Sequence, residues 1–441
     1  MSANSDRVSR LIFILSAVGL LLGYGAASAI YGWFPGAQIG KALKVAERTY
    51  KDLTRPQPEV NIPGDGPRFQ VYDAGRMQPG ATLVVSVGED LLNTARIHAP
   101  DGSVLHQWRT DWFEIWPDGS GFPKGRQPKR QPGTTMHGVR VLPDASLVFN
   151  FEHLSTVRVD ACSTVMWKHA NLGHHFVNID NDGDIWVGAE TFHSQAFRTR
   201  HPNFGGRLNE DTYQQIAPDG TIRRTLSVLD LLLENDLMGL AFMGTLANKS
   251  TRVVGDITHL NDVDFFPADM EPGYFKPGDM IVSMRNINTV VVVDPETMEL
   301  KHRATGMFLR QHDPDFTSGN SYVVFDNRNM ETGEEPQRSR VLEMTVTDQG
   351  DLASYRELYR GEGDAAYFTN VMGSQQILPN GNALVISSFE GRVLELTPAG
   401  DLVWEHRNAI GDGKRGVVTE AERLPPAMDA AFFEEKRAAC G

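Results

Sequence analysis

"HGVRVLPDASLVFN" (137–150) and "HFVNIDNDGDIWVG" (175–188) are two copies of one pattern. Each opens on a histidine, runs through alternating apolar residues, turns at Asp144-Ala145 or Asp182-Gly183, and returns as an apolar strand. Period-two alternation around a turn signal specifies a β-hairpin. "HDPDFTSGNSYVVFDN" (312–327) fits the same frame with its turn at Gly319-Asn320. "GSQQILPNGNALVISS" (373–388) fits with Gly373 in place of the histidine, and "HLNDVDFF" (259–266) opens a copy whose longer loop closes on "GDMIVSMR" (278–285).

Each hairpin is followed by a second pair of strands around a tight turn, as in "STVRVDACSTVMWKH" and "GRVLELTPAGDLVWEH". One unit therefore holds four strands, and "ATLVVSV" with "TARIHAPDGSVLHQW" (81–108) supplies a unit near the start. Four antiparallel strands repeated radially cover their own edges. The expected fold is all-β, a six-bladed β-propeller over residues 67–407. Insertions fall at 109–131 and 189–250, the second helical around 227–240, and 408–441 forms a partly helical C-terminal extension.

Composition narrows the partners. A net charge of -14 argues against a sequence-independent nucleic-acid binder, since nothing would neutralise phosphate. Small molecules or proteins are the expected partners. Two cysteines, Cys162 and Cys440, with no CxxC, exclude a zinc ribbon and a disulfide-built scaffold, and leave one bridge between them open.

The N-terminus places the domain. After Arg7 and Arg10, the run from Leu11 to Phe34 carries no charge, and about 20 apolar residues cross a bilayer. Residues 1–10 are read as cytoplasmic and 11–34 as a transmembrane anchor, with a cleaved signal peptide as the other reading because "ASA" (27–29) resembles a cleavage site. Residues 35–66 form a stalk and linker, with Ile39, Leu43, Ala46 and Tyr50 at helical spacing. The expected location is the inner membrane, single-pass, with the catalytic domain in the periplasm; oligomeric state is left open.

In a propeller the first strand of each blade lies nearest the axis. His137, His175, His259 and His312 share that first-strand position and are expected to face one funnel. Gly373 shows that the place does not demand histidine. His174 is expected to point to the other side of its strand, Asp313 to face away from the channel, and the histidines without shared register, His153 among them, to be surface or packing residues. Asn261 lies two residues after His259 and so shares its face. Arg285 ends the returning strand, where it reaches a bound anion unless a neighbouring carboxylate holds it. Imidazoles, one amide and one guanidinium suit an oxyanion better than a hydrolytic metal.

"THLNDVDFF", "GDMIVSMRNINTVVVVDPET", "RQHDPDF" with "VVFDNRN", and "GHHFVNIDNDGDIWV" resemble the PAPS-independent arylsulfotransferases, bacterial propeller enzymes that move sulfuryl groups between phenols. The resemblance implies a transiently sulfurylated histidine at His312, the HxN pair at His259 and Asn261, the arginine at Arg285, and the preceding histidine at His175. His137 has no counterpart in that set and is assigned to substrate binding. The soluble members' extra N-terminal β domain and their disulfide near the active site have no counterpart here, which suggests a distinct membrane-anchored branch.

The expected activity is ping-pong transfer from an aryl sulfate donor to a phenolic acceptor. No nucleotide or other cofactor and no metal are called for, since the glycines cluster at hairpin turns rather than in a phosphate loop. Two alternatives stay open: a metal-dependent enzyme using the four histidines, and a non-catalytic, membrane-tethered interaction propeller.

Overall fold

The computed structural model describes residues 2–31, 34, 38, 62–64, 66–123, 125–191, 199, 201, 202, 204–246, 253–328 and 337–440. The chain divides into two units, Met1–Pro58 and Glu59–Gly441. In the first, a helix spans Ser2–Tyr31. Its Arg10–Ser28 segment, with mean hydropathy 2.0, is long and apolar enough to cross a membrane, a property that a signal sequence shares. The proposed stalk helix at 38–51 lies outside the described residues apart from position 38.

The second unit is all-β with many antiparallel sheets, six of them built on a four-strand meander. In chain order their first strands are Met136–Val141, His174–Ile179, Leu260–Phe265, His312–Ser318 and Ser374–Ile377, while Val418–Arg423 begins the sheet that continues through Thr82–Val87, Asn93–His98 and Val104–Arg109. Neighbouring first strands touch in succession and the ring closes from Val418–Arg423 back to Met136–Val141. Inner strands are buried and outer ones differ: Thr289–Val293 is buried throughout, most of Leu352–Leu358 is exposed, and Leu402–Arg407, paired on its outer edge with Phe69–Val71, is mostly buried. β-Branched side chains suit the doubly covered strands, and polar ones the rim.

Three of the repeated hairpins, those turning at 142–146, 180–184 and 378–382, share one turn. In the sheet starting at Met136, Leu142 N donates to Ser146 O at 2.9 Å and Ala145 N to Leu142 O at 2.8 Å; Asp180, Gly183 and Asp184 repeat this at 3.0 Å. The fourth turn position takes a left-handed backbone, at φ 62 for Ala145 and 84 for Gly183. This is why Asp-Ala and Asp-Gly occupy equivalent places in the two quoted segments.

Residues 408–440 differ from a simple extension. Val418–Arg423 pairs antiparallel with Thr82–Val87 and provides the innermost strand of the first sheet. The signal was an alternating "VTEAER" whose outward-looking charges face the channel instead of solvent. Helix Ala430–Ala438 then buries Phe433 beside His106 and Trp108. Helices Val228–Glu234 and Met238–Leu246 fall in the expected insertion.

Cys162 and Cys440 are bonded, across a sequence separation of 278. The link fastens the end of the C-terminal helix to the sheet at 136–169. Cys162→Ser is expected to lower stability by about 2–4 kcal/mol. Urea denaturation of the oxidised protein measures it, and an unchanged midpoint would mean the bridge contributes nothing.

Candidate active site

The first strands do not present their histidines in regular alternation. Each carries a bulge near its start, with register shifts between Met136 and Val139, His174 and Val177, Leu260 and Asp262, and His312 and Asp315. Bulges re-aim side chains. His137 and His175 lie within the bulges, His312 begins one, and His259 stands just ahead of its strand, so the four are not at one register position. His175 (φ 60), His259 (φ 51) and Asp313 (φ 52) adopt the left-handed backbone, which costs energy for a residue with a Cβ. At Gly373 (φ 88) a Cβ would lie 2.6 Å from both the Phe325 ring and the Thr369 methyl group, which explains the missing histidine in that sheet.

The consequence is convergence. One cavity is lined by His137, His175, Asn261, His312, Asp313 and Arg140, among others. His259 joins through Nε2, 2.9 Å from His175 Nε2. Arg285 is anchored by its N–H donating to His259 O at 3.0 Å. All six expected site residues thus come together. Asp313 is a correction: the left-handed turn at this residue brings it to the cavity wall, where simple alternation would have aimed it away.

His312 is held in one tautomer. Asn327 Nδ2 donates to the carbonyls of Thr369 (3.0 Å) and Met372 (2.7 Å), so its Oδ1 is the end that faces His312 Nδ1 at 2.6 Å. An amide oxygen only accepts, hence Nδ1 carries the hydrogen and Nε2 the lone pair. That Nε2 is buried without a partner. Burial, then the Arg285 charge, hold the imidazole well below its usual pKa, so it is neutral at pH 7.

The surroundings suit an anion. The Arg285 guanidinium makes one hydrogen bond, 3.4 Å from Nε to Asn286 Oδ1, and no ion pair among the described residues. Burial and the neighbouring Arg310 bring its pKa down to about 10, leaving it charged at neutral pH. Asn261 Nδ2 donates to Gln311 O at 2.6 Å, tying the HxN element to the residue before His312, while Asn261 Oδ1 is buried and unpartnered. His259 Nδ1 is bonded to the Asp256 carboxylate. Burial lowers the His259 pKa against the upward pull of Asp256.

The family described as Arylsulfotransferase (ASST) matches residues 138–409, more than half of the 441 residues. This chain belongs to the arylsulfotransferase family. No curated protein sequence matches it. Among solved structures it is similar to a protein of unknown function from Bacteroides caccae, at 11% identity over 78% of this chain and 98% of the other, with a TM-score of 0.47. A streptogramin B lyase matches at 8% identity over 78% and 88%, TM-score 0.39. Dihydro-heme d1 dehydrogenase NirN matches at 11% over 78% and 69%, TM-score 0.36.

This member of the family carries site groups that the histidine pattern did not reveal. Glu152 lies 3.2 Å from His137 Nδ1, 3.3 Å from His175 Nδ1 and 3.2 Å from His153 Nε2. His153 also meets Glu190 at 2.6 Å, and these carboxylates, acting against burial, raise its pKa to about 9. His174 Nδ1 stands 2.9 Å from His175 Nδ1, and burial pulls its pKa to about 4. His153 and His174 are therefore part of the cluster and not surface or packing residues. The available signal was "FEHL" at the end of a returning strand, equivalent in place to "VSMR".

A second missed group spans this cavity and the adjoining one, which share Arg140, Asp313, Ser374 and Glu420. Asp262, Asp264, Asp313, Asp315, Glu420 and Glu422 come from three first strands as acid-x-acid pairs, "DVD", "DPD" and "EAE". Alternation puts Glu420 and Glu422 on one face, whereas Asp313 reaches Asp315 through its left-handed turn. Burial, then Asp313 and Asp264, push Asp262 well above the usual carboxylate range, and burial pushes Glu420 to about 7. A carboxyl whose folded pKa is raised binds a proton in the fold after the unfolded chain has released it. The stability that it supplies is complete below about pH 4 and is lost as pH rises through about 7. The melting temperature should therefore fall from pH 5 to pH 8, and fall less in Glu420→Gln. Equal slopes for the two proteins would contradict a raised Glu420.

Proposed function

We propose that this chain is a PAPS-independent aryl sulfotransferase, moving a sulfuryl group from an aryl sulfate ester to a phenolic acceptor through a sulfurylated His312. The observation that carries this reading is the orphaned Nε2 of His312, neutral, locked as the lone-pair nitrogen and placed near an arginine that makes no ion pair among the described residues. A nucleophile needs a free lone pair, and a sulfuryl group needs compensated negative charge.

In the first half-reaction His312 Nε2 attacks sulfur, the N–S bond forms, and the S–O bond to the aryl oxygen breaks to release the phenolate. Asn327 Oδ1 accepts from Nδ1–H as positive charge develops on the ring. The Arg285 guanidinium holds the sulfuryl oxygens, the Asn261 Nδ2 hydrogen not given to Gln311 O is a second donor, and His259, His175 and His137 lie around the substrate cavity. In the second half the acceptor phenol displaces His175 from His259 Nε2 and passes its proton there, with Asp256 orienting the ring through Nδ1; the phenolic oxygen takes the sulfuryl group as the N–S bond to His312 breaks, and His259 gives the proton to the next departing aryl oxygen. No nucleotide is required.

The six meandering sheets and their closed ring of first strands support a six-bladed propeller as the scaffold. The apolar helix supports a single-pass anchor in the inner membrane with the propeller in the periplasm. The direct test offers a chromogenic aryl sulfate with and without a phenol. Phenol-dependent release together with formation of the acceptor's sulfate ester is expected; release without any sulfated acceptor would make the protein a sulfatase or leave it outside this chemistry.

A further inference from the structure

We propose that His137, Glu152 and His175 bind one divalent transition-metal ion, with Zn²⁺ the best fit, on the Nδ1 side of His175. One donor atom from each of the three residues lies within 4.8 Å of the others. His137 Nδ1 is 3.2 Å from Glu152 Oε2, and His175 Nδ1 is 3.3 Å from Glu152 Oε1. Two ligands at about 2.0–2.2 Å from a tetrahedral ion are separated by about 3.3–3.6 Å, so an ion fits among these groups with small side-chain shifts, the contact of His175 Nδ1 with His174 Nδ1 giving way to it.

The hydrogen bonding agrees. His137 Nδ1 makes no hydrogen bond although a carboxylate oxygen is nearby, and the residue is only 8% exposed. A donor nitrogen left over in so buried a place is costly unless something else meets it. Two imidazoles and one carboxylate, borderline donors, suit Zn²⁺ or another late first-row ion better than Ca²⁺ or Mg²⁺. The supporting groups are in place: His153 Nε2 faces Glu152 Oε1 at 3.2 Å and is held by Glu190, which Arg126 meets at 2.9 Å. Such outer contacts orient metal ligands.

This is not the axial four-histidine set, because His259 and His312 lie outside it. An ion on Nδ1 of His175 fixes the hydrogen on Nε2, 2.9 Å from His259 Nε2. For a sulfuryl-transfer site this makes His175 the donor to His259 Nε2, a consequence that rests on the proposed function, whereas binding itself does not.

The test uses full-length, tag-free protein in detergent, stripped with chelator and reloaded with Zn²⁺ or Co²⁺. About one ion per chain should survive dialysis and raise the melting temperature. His137→Ala and Glu152→Gln should lose the ion, and His312→Ala should keep it. No retained ion in the wild-type protein, or stoichiometric ion in a folded Glu152→Gln, overturns the proposal. If the variants do not fold, X-ray absorption of the wild-type Co²⁺ form decides: two imidazoles and a carboxylate support it, and any other ligand set overturns it.

Discussion

His312→Ala is expected to lower aryl sulfate turnover by on the order of 10⁴-fold or more, the scale seen when a nucleophile is removed from a site that otherwise still binds substrate. Alanine deletes the orphaned lone pair at Nε2 and leaves no nearby group in its place. His259 Nδ1 is committed to Asp256, and its Nε2 to His175. Both nitrogens of His175 also face other groups. The cost to folding is small by comparison: Asn327 Oδ1 loses one partner, worth about 1–3 kcal/mol if it stays dry, while Asn327 Nδ2 keeps its bonds to Thr369 and Met372. Steady-state rates with circular dichroism as the folding control measure this. Undiminished turnover would remove His312 from the mechanism.

Arg285→Lys is expected to cost about 10²–10³-fold in turnover, comparable to the loss of one preorganised oxyanion donor. Lysine keeps the charge, yet loses the planar fork that meets two sulfuryl oxygens at once. Among the described residues the guanidinium makes no ion pair, and burial with the neighbouring Arg310 disfavours its charge against the pull of Asp256, Glu152 and Asp211, a balance that a bound anion shifts in its favour. A purely structural arginine would behave oppositely, because lysine would preserve most of an ion pair. Near-normal rates in the variant would assign Arg285 to structure.

The sheets were legible because they follow period-two alternation, and the histidines because they recur at the openings of the repeats: the copies at 137–150 and 175–188 align residue for residue, and the turn at Ala145 repeats that at Gly183. What alternation could not show is where it breaks. Bulges at the strand starts turn Asp313 into the cavity and bring His174 against His175. Glu152 and His153 lie at the end of a returning strand, so their approach to the first-strand histidines depends on pairing across the sheet. The last strand of the ring, Val418–Arg423, was hidden because its partner Thr82–Val87 is more than three hundred residues earlier, and its glutamates look solvent-facing until the channel is known. Asn327 was present in the quoted "VVFDN" but acquires meaning only from the two carbonyls that orient it.

The central claim is the covalent step at His312. Mixing the full-length protein with an aryl sulfate in the absence of acceptor should release about one phenol per chain in a burst. Peptide mass spectrometry of the quenched protein should then locate a sulfuryl group on His312, lost when a phenol is added. The burst should vanish in His312→Ala and remain detectable in His137→Ala. A sulfuryl adduct on any other residue, or steady turnover with no adduct on His312, would contradict the account.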